Sequence, residues 1–424
     1  MLKENFLLDD FYMEGSSIDD FKKLISEIAD KTAFDTINST ELSVMSYRHT
    51  DEAGNLCFLL FDPNQPLGSS ANFPKDHAYK WIRVPRSRVL SKGKFEDLIK
   101  EGTDDVGVLL YDGVRVRFVS KKVLTTRLQP FGLNGDFLAE KSLARDALIA
   151  NQFGTKALAR TLVTREFNGI TKVFSILGER YRHLPQSILV KIYEELTKGD
   201  LGKAECHHWD VTHFITGIRI EFPEKADEFQ TVYGLADRLI PGIILETSDT
   251  GDCSVKVKGT WRRCGATSLQ NEVSRKHIGN LSVEELLEEV DEKIFSEYVK
   301  LPEALCELMS QDITDASWNL ESASGKAKNS KCIKNVLKSA FKQLKIVAAI
   351  GKQAEMKLLE QLHMEFDEGT AYTAYDIAVS LMSLPERVTG LHPLTQEKLQ
   401  TAVGRAPYIK YNVKKEESAI ILTA

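Results

Sequence analysis

The amino-acid sequence predicts an α+β fold, a mixed body with antiparallel β-hairpins that is followed by a helical C-terminal region. Two segments carry the hairpin pattern, because each joins two apolar, alternating runs through a turn rich in Asp and Gly. From residue 280 onward the apolar residues recur with helical spacing instead. A doubly wound parallel sheet is not expected, since hairpins rather than β-α-β units carry the strand pattern.

The N-terminal 35 residues are acidic and predict one amphipathic helix. Its apolar residues recur at helical spacing, and they are Ile18, Phe21, Leu24, Ile25 and Ile28. The segment 62–76 is rich in Pro, Gly, Asn and Ser, and it predicts a long loop.

The first hairpin is predicted in residues 106–119, where Asp112-Gly113 would form a two-residue type I′ turn. Arg115 and Arg117 would then lie on one face of the second strand, with apolar side chains on the other. We expect both arginines to face solvent, because burying unpaired cations is prohibitive.

The second hairpin is predicted in residues 242–259, with its turn near Asp249 to Asp252. Lys256 and Lys258 would share one face and face solvent, while valines fill the other face. Between the two hairpins we expect helices at about 137–150 and 186–198, and a strand at about 211–220.

The C-terminal region begins with a capping-box pattern formed by Ser282 and Glu285. The helix that follows should end or kink at Pro302. Further helices are expected at about 331–350, 353–365, 371–384 and 395–403. At roughly 100–200 residues per domain, the chain divides into an N-terminal region (1–130), a central α+β domain (131–280) and the helical region (281–424).

Composition limits the class of protein. The chain has 424 residues, of which 42% are hydrophobic and 27% charged, values that exclude a fibrous or largely disordered protein. The net charge of -6 excludes a strongly basic protein but allows a locally basic surface.

We also expect a cytoplasmic protein without membrane association. No apolar run approaches the roughly 20 residues that span a bilayer, and the start becomes acidic too early for a signal peptide. The six cysteines form no C-x-x-C pair and are too sparse for a disulfide framework, so we predict free thiols.

No common catalytic or cofactor-binding motif is present, including the P-loop, the dinucleotide fingerprint, G-x-S-x-G and H-E-x-x-H. The sequence therefore predicts no cofactor. One segment carries several residue types that bind metals: Cys206, His207, His208, Asp210 and His213. On a strand these side chains would divide between two faces, so we favour a strand with exposed polar residues over a metal site. A metal-dependent enzyme that uses His207–His213 stays an alternative.

His277 is a lone histidine between Lys276 and Ile278. It could act as a base or contact a phosphate, but no nucleophile or carboxylate partner is visible. A polar surface residue is the favoured interpretation.

Positive charge is concentrated in residues 326–357, where nine Lys and one acid give a local charge of +8. Five of these residues fall in one narrow stripe of a helix, here called the lysine ridge: Lys331, Lys334, Lys338, Lys342 and Lys345. Like charges at this spacing repel, and a polyanion would relieve that repulsion. Two alternatives remain. The lysine ridge could dock on the acidic segment 284–297 of the same chain, or it could be a solvent-exposed face without a binding role.

Other cations occur beside aromatic residues, a pattern that suits single strands because bases stack on rings while phosphates contact Lys or Arg. The predicted nucleic-acid-binding residues outside the ridge are Arg115, Arg117, Lys256, Lys258, Arg262 and Arg263. Each aromatic residue taken singly, Trp261 and Tyr181 included, is more readily explained as part of a core.

Four segments together resemble the phage/plasmid-like protein family, a prokaryotic family of unknown activity found in phages, prophages and conjugative plasmids. They are FSILGERYRHLP (174–185), LIPGIILETSDTGDCSVKVKGTWRRC (239–264), RKHIG (275–279) and TAYDIAVSLMS (373–383). The resemblance covers about residues 130–405. The family usually continues its Arg-x-x-Cys element with Asn-Gly, whereas Gly265-Ala266 follow here. It implies a mobile genetic element, the bacterial cytoplasm and nucleic-acid metabolism.

The predicted function is therefore that of a phage-encoded, non-enzymatic nucleic-acid-binding protein in the cytoplasm of an infected bacterial cell. Single-stranded DNA is the preferred ligand, bound for protection or annealing in replication or recombination, and a homo-oligomer would suit that role. The main alternative is a phage structural or host-interaction protein that docks through its acidic N-terminal helix.

Overall fold

A computed structural model describes most of the chain. The described residues are 1–53, 56–64, 79–84, 108–140, 142–198, 201–235, 238–263, 266–277, 282–311, 313, 325–366, 372–388, 391 and 393–411. The predicted loop at 62–76 therefore lies largely outside the described residues. Two mostly antiparallel sheets and a set of C-terminal helices confirm the α+β fold class.

The first sheet has six strands in the order β1-β10-β11-β12-β13-β14, and all neighbouring strands are antiparallel. Its strands are β1 (Tyr12–Gly15), β10 (Glu205–Thr212), β11 (Thr216–Glu221), β12 (Ile240–Thr247), β13 (Val255–Arg263) and β14 (Ala266–Arg275). After β1, the sheet is a meander in which strands that are consecutive in sequence pair with each other.

The second sheet has eight strands in the order β2-β8-β9-β7-β6-β3-β4-β5, and β7 and β9 form a parallel pair within it. Its strands are β2 (Thr32–Asn38), β3 (Ser43–Thr50), β4 (Leu56–Phe61), β5 (Tyr79–Val84), β6 (Val108–Tyr111), β7 (Val116–Val119), β8 (Ala159–Phe167) and β9 (Ile170–Gly178). This sheet takes strands from both sides of residue 130, so the predicted N-terminal and central regions share it.

The second predicted hairpin is confirmed as β12 and β13, in which Glu246 lies opposite Lys256. The strand predicted at about 211–220 is wrong, because two strands, β10 and β11, meet there in a tight turn. The Thr212 hydroxyl accepts hydrogen bonds from the backbone N–H groups of Phe214 (3.1 Å) and Ile215 (2.9 Å). Such a side-chain-capped turn needs neither Gly nor Pro, and so it escapes the usual turn signals.

The first hairpin exists, but its predicted two-residue turn is wrong. Tyr111 pairs with Val116 rather than with Val114, so four residues form the connection. The Asp112 carboxylate accepts hydrogen bonds from the backbone N–H groups of Val114 (2.9 Å) and Arg115 (2.7 Å). This carboxylate stabilises the longer loop, and it therefore sets the register in place of a type I′ turn.

Most of the predicted helices are present, with boundaries that differ by several residues, but the helix Pro223–Tyr233 was not predicted. Within the described residues the α-helices are α1 (Ile18–Asp30), α2 (Leu143–Thr155), α3 (Ile188–Leu196), α4 (Pro223–Tyr233), α5 (Val283–Lys293), α6 (Lys300–Met309), α7 (Gly325–Leu344), α8 (Ile346–Ile350), α9 (Lys352–His363), α10 (Ala374–Met382), α11 (Leu384–Arg387) and α12 (Pro393–Val403). Short 3₁₀ turns cover Glu4–Leu7, Ser39–Glu41, Gln129–Phe131, Asp136–Ala139, Phe295–Glu297 and Ala406–Tyr408, and a π-helical turn covers Val123–Arg127.

Helix α5 begins as predicted, since the Ser282 hydroxyl caps it by accepting a hydrogen bond from Glu285 N at 3.2 Å. The expected role of Pro302 is wrong. Helix α5 already ends at Lys293, and Pro302 lies in the first turn of α6. Proline is tolerated at this place because the first turn of a helix leaves its N–H groups without intrahelical partners.

The central strands of the eight-stranded sheet are buried on both faces, and their successive side chains contribute to different cores. Met45 and Phe174 belong to the larger cluster, which also takes in the six-stranded sheet and the C-terminal helices. Their sequence neighbours Val44 and Val173 belong to a second cluster, which packs against α2. The alternation follows from the two-residue period of a β-strand.

In the described ranges, no helix has both the length and the apolar character that a membrane span requires. Four cysteines with described side chains, Cys57, Cys206, Cys253 and Cys306, form no disulfide bond, in agreement with the prediction.

Candidate nucleic-acid interface

The lysine-rich helix α7 is held in place by its apolar face. The buried residues of this face are Ile333, Val336, Leu337, Ala340, Phe341 and Leu344. They recur at the 3–4 residue spacing of one helix face, so the opposite face is directed outward. The predicted amphipathic arrangement of the ridge helix is therefore confirmed for the residues whose side chains are described.

Three members of the ridge form an exposed basic surface. Lys338, Lys342 and Lys345 are exposed and, in the part of the chain that the structure describes, none of them forms an ion pair. Lys334 differs, because its Nζ lies 2.7 Å from a carboxylate oxygen of Glu360 on α9. The side chain of Lys331 lies outside the described residues.

The predicted helix at 331–350 is interrupted at Lys345, which adopts a left-handed backbone conformation with φ 55°. Helix α8 follows directly, and Gly351 at φ 83° separates it from α9. Helix α9 packs against α7 and carries two further exposed lysines, Lys352 and Lys357.

One further lysine belongs to this surface and was missed by the sequence prediction. The Gln343 side chain donates a hydrogen bond to the backbone carbonyl of Lys410 (2.8 Å) and accepts one from its N–H (3.3 Å). Lys410 is exposed, and these bonds hold its backbone against the side chain of Gln343, which lies between Lys342 and Lys345 in the chain. A contact between residues 67 positions apart leaves no signal in local spacing. We call Lys338, Lys342, Lys345 and Lys410 the four-lysine surface.

The alternative prediction, docking of the ridge on the acidic segment 284–297, is not observed among the described residues. Glu289 pairs with Arg275 and Lys293, and Glu297 pairs with Lys300. The observed carboxylate partner of the ridge is instead Glu360. The acidic segment therefore leaves the four-lysine surface unneutralised.

The expectation that both arginines of the first hairpin face solvent is wrong for Arg117. Its side chain is 1% exposed, and its two terminal nitrogens lie 3.2 Å from Asp35 and 2.8 Å from Asp112. Arg115 is mostly exposed and lies 3.5 Å from the same Asp35. The carboxylates offset the cost of burying Arg117, which would be prohibitive without a partner.

The same expectation is wrong for Lys258 of the second hairpin. Its side chain is 5% exposed, and its Nζ lies 2.9 Å from Glu246 and 2.8 Å from Glu397. These two carboxylates raise the pKa of Lys258 against the opposing effect of burial. Lys256, on the same face, is half-buried.

Arg262 forms a bidentate pair with Glu221, in which Nε and Nη2 donate at 2.6 Å and 2.7 Å. Arg263 is half-buried. Trp261 is part of the core, which confirms the prediction made for this aromatic residue. The predicted basic residues of the sheets therefore mostly serve the fold, and the ridge retains the exposed charge.

The metal-binding alternative receives no geometric support. His213 is fully buried, and its ring packs against Phe6, Phe11 and Phe174. Burial, together with the neighbouring Arg165, holds the pKa of His213 well below its ordinary value. His207 is exposed and lies 3.8 Å from Glu221. Within the described residues, no three His, Cys, Asp or Glu side chains are placed to hold a metal ion.

The expectation of a surface position for His277 is wrong. The residue is 5% exposed, and its ring stacks on Tyr181 with centroids 5.2 Å apart and planes 9° apart. Burial lowers the pKa of His277, and burial also raises the pKa of nearby Cys253 to about 12. A thiol with that pKa is protonated at neutral pH, so Cys253 is no activated nucleophile.

Comparison of the chain with protein-family models, with curated proteins and with solved structures gives no significant match.

Proposed function

We propose that this protein binds single-stranded nucleic acid, with single-stranded DNA preferred, and that the four-lysine surface is its main contact with the phosphates. Strand protection or annealing during replication or recombination would use such a surface. From the resemblance of the sequence to phage and plasmid proteins, we further propose that the protein is phage-encoded and acts in an infected bacterial cell. A homo-oligomer would lengthen the contact along one strand.

The observation that carries the proposal is a row of exposed lysines that form no ion pair with any carboxylate in the described part of the chain, although Glu360, which pairs with Lys334, also interacts electrostatically with Lys338. Lys338 and Lys342 are one helical turn apart, about 6 Å along the helix axis. Like charges at this spacing destabilise a helix by a few tenths of a kcal/mol. A helix without an anionic ligand would be more stable if acidic residues were placed among the lysines. Bound phosphates would instead neutralise the lysines directly.

The test is the salt dependence of binding to a labelled single strand. Each lysine that neutralises one phosphate contributes about 0.7 to the slope of log affinity against log salt. The triple variant Lys338→Gln, Lys342→Gln and Lys345→Gln should therefore flatten the slope by about 2. Its affinity at low salt should fall similarly for every base sequence, because phosphate contacts carry no sequence information.

A matched control removes the same charge elsewhere. Lys23, Lys156 and Lys191 are also exposed, and they lie outside the C-terminal helical region. The triple variant Lys23→Gln, Lys156→Gln and Lys191→Gln should keep the wild-type slope. If both triple variants change the slope equally, or neither changes it, the four-lysine surface is not the contact.

A further inference from the structure

A second basic site lies on the loop that follows β9. Arg180 and Arg182 are exposed there, and the backbone N–H of Arg182 donates to the carbonyl of His277 at 2.9 Å. This bond brings the backbone of His277 against that of Arg182, and exposed Lys276 directly precedes His277 in the chain. In the described part of the chain none of the three cations has an ion-pair partner, although one exposed acid, Glu179, precedes them.

The loop is held rigidly by Tyr181, which lies between the two arginines. Its hydroxyl donates to the carbonyl of Ser248 at 3.0 Å, and its ring is stacked on His277. Burial raises the pKa of Tyr181 far above neutral pH, so the hydroxyl keeps the proton that it donates. The two arginines therefore project from a fixed backbone.

His183 places an aromatic ring at the surface beside these cations. The residue is exposed, and its ring contacts that of Phe34 on the edge strand β2, with centroids 3.6 Å apart and planes tilted by 45°. Desolvation lowers the pKa of His183, and the imidazole is therefore neutral at neutral pH. A neutral ring that is supported on one side and open on the other is suited to stacking.

We infer that His183, backed by Phe34 and flanked by Arg182 and Lys276, is a stacking site for one base of a bound single strand. Bases of single strands stack on aromatic rings, histidine included, and nearby cations hold the adjoining phosphates. The site is formed by the loop after β9, whereas the four-lysine surface belongs to the C-terminal helical region. The inference rests on the proposed function, since it assumes that the chain binds single strands.

The experiment separates stacking from charge by comparing two ligands. Binding of a labelled oligothymidylate and of an abasic strand of equal length is measured for the wild type, His183→Ala and His183→Phe. Loss of one stacked base corresponds to roughly tenfold to hundredfold weaker binding. We expect that loss for His183→Ala with oligothymidylate alone, near-wild-type binding by His183→Phe, and equal binding of the abasic strand by all three proteins.

Two control measurements distinguish loss of stacking from loss of charge and from unfolding. Arg182→Gln should weaken binding of both strands, because it removes a phosphate contact rather than a ring. Thermal unfolding of His183→Ala should show at most a small loss of stability, because the residue is exposed apart from its contact with Phe34. An equal loss on both strands, or a Phe variant as weak as the Ala variant, would overturn the stacking site.

The two proposals fail in different ways. If the wild type binds neither strand, the proposed function and the stacking site both fall. If the lysine variant flattens the salt slope while His183→Ala binds oligothymidylate like the wild type, only the stacking site is wrong.

Discussion

Arg165 connects the two sheets through fully buried charges. One of its terminal nitrogens lies 2.9 Å from both carboxylate oxygens of Asp249, in the loop after β12, and the other contacts Nδ1 of His213. Its side chain is 0% exposed and that of Asp249 is 4% exposed. A buried pair of this kind is only weakly stabilising as a whole, but removal of one partner leaves an uncompensated charge.

Asp249→Ala should therefore be among the most harmful single substitutions in the protein. We expect the free energy of unfolding to fall by about 3–5 kcal/mol, because Arg165 would stay buried without its counter-ion. Urea denaturation measures the change. The control is Asp227→Ala, which breaks the exposed pair with Arg238 and should cost at most about 1 kcal/mol. If the two variants lose similar free energies of unfolding, the buried pair contributes no more to stability than the exposed pair.

Sequence spacing predicted the exposed lysines better than the cations of the sheets. The helical period alone places Lys338 and Lys342 opposite the apolar face of α7. The burial of Arg117 and Lys258 depends on carboxylates 82 and 139 residues away, Asp35 and Glu397. Local alternation shows which face a side chain occupies, but it does not show whether another element covers that face.

The C-terminal helical elements were predicted well because their apolar residues keep one period over several turns. The break at Lys345 was not predictable from its residue type, since left-handed backbone favours Gly or Asn. Ile346 is fully buried immediately after the break. Burial of Ile346 therefore accounts for the break, because it draws the chain inward against the local preference for a continuous helix.

Lys345→Gly should stabilise the protein, since a side chain in the left-handed region costs about 1–2 kcal/mol and glycine largely avoids that strain. We expect the free energy of unfolding to rise by about 1 kcal/mol, measured by urea denaturation. The same substitution within α7, Lys338→Gly, should lower it by about 1 kcal/mol, as glycine does inside a helix. We therefore expect the free energy of unfolding to change in opposite directions in the two variants. A loss of stability in both would contradict this prediction.

At the scale of the whole molecule, the N-terminal residues join the two sheets. Strand β1 pairs with β10 of the six-stranded sheet, so that Tyr12 lies opposite Thr212. Lys172 of the eight-stranded sheet donates to the carbonyl of Leu7 at 2.8 Å and pairs with Asp9 at 2.6 Å. Burial lowers the pKa of Lys172, whereas Asp9 opposes that effect. The acidic start of the chain is thus partly a structural element.

This joining role could not be predicted from the sequence, because the segment has no periodic pattern before residue 18. Its partners lie about 160 to 200 residues further along the chain. The same limit applies to the eight-stranded sheet, whose parallel pair β7 and β9 is separated by α2 and β8. Periodicity identifies elements, whereas sheet order depends on contacts between distant segments.

Phe6 is the apolar centre of the N-terminal segment, and Phe6→Ala should weaken both sheets together. Its ring is fully buried and contacts Phe11, Phe167 and His213 in edge-on or tilted arrangements. Truncation of such a residue costs about 3–5 kcal/mol through lost burial and the cavity left behind. The midpoint of urea unfolding should fall by the corresponding amount.

The way in which Phe6→Ala unfolds tests the joining role itself. Far-ultraviolet circular dichroism and tryptophan fluorescence should still give coincident transitions, because the sheets share this segment and lose its support at once. Tyr12→Ala provides the control on the same segment, since Tyr12 is 51% exposed and its loss should cost only about 0.5 kcal/mol. If Phe6→Ala unfolds in two separated transitions, each sheet has its own stability, and the N-terminal segment attaches to both without coupling them.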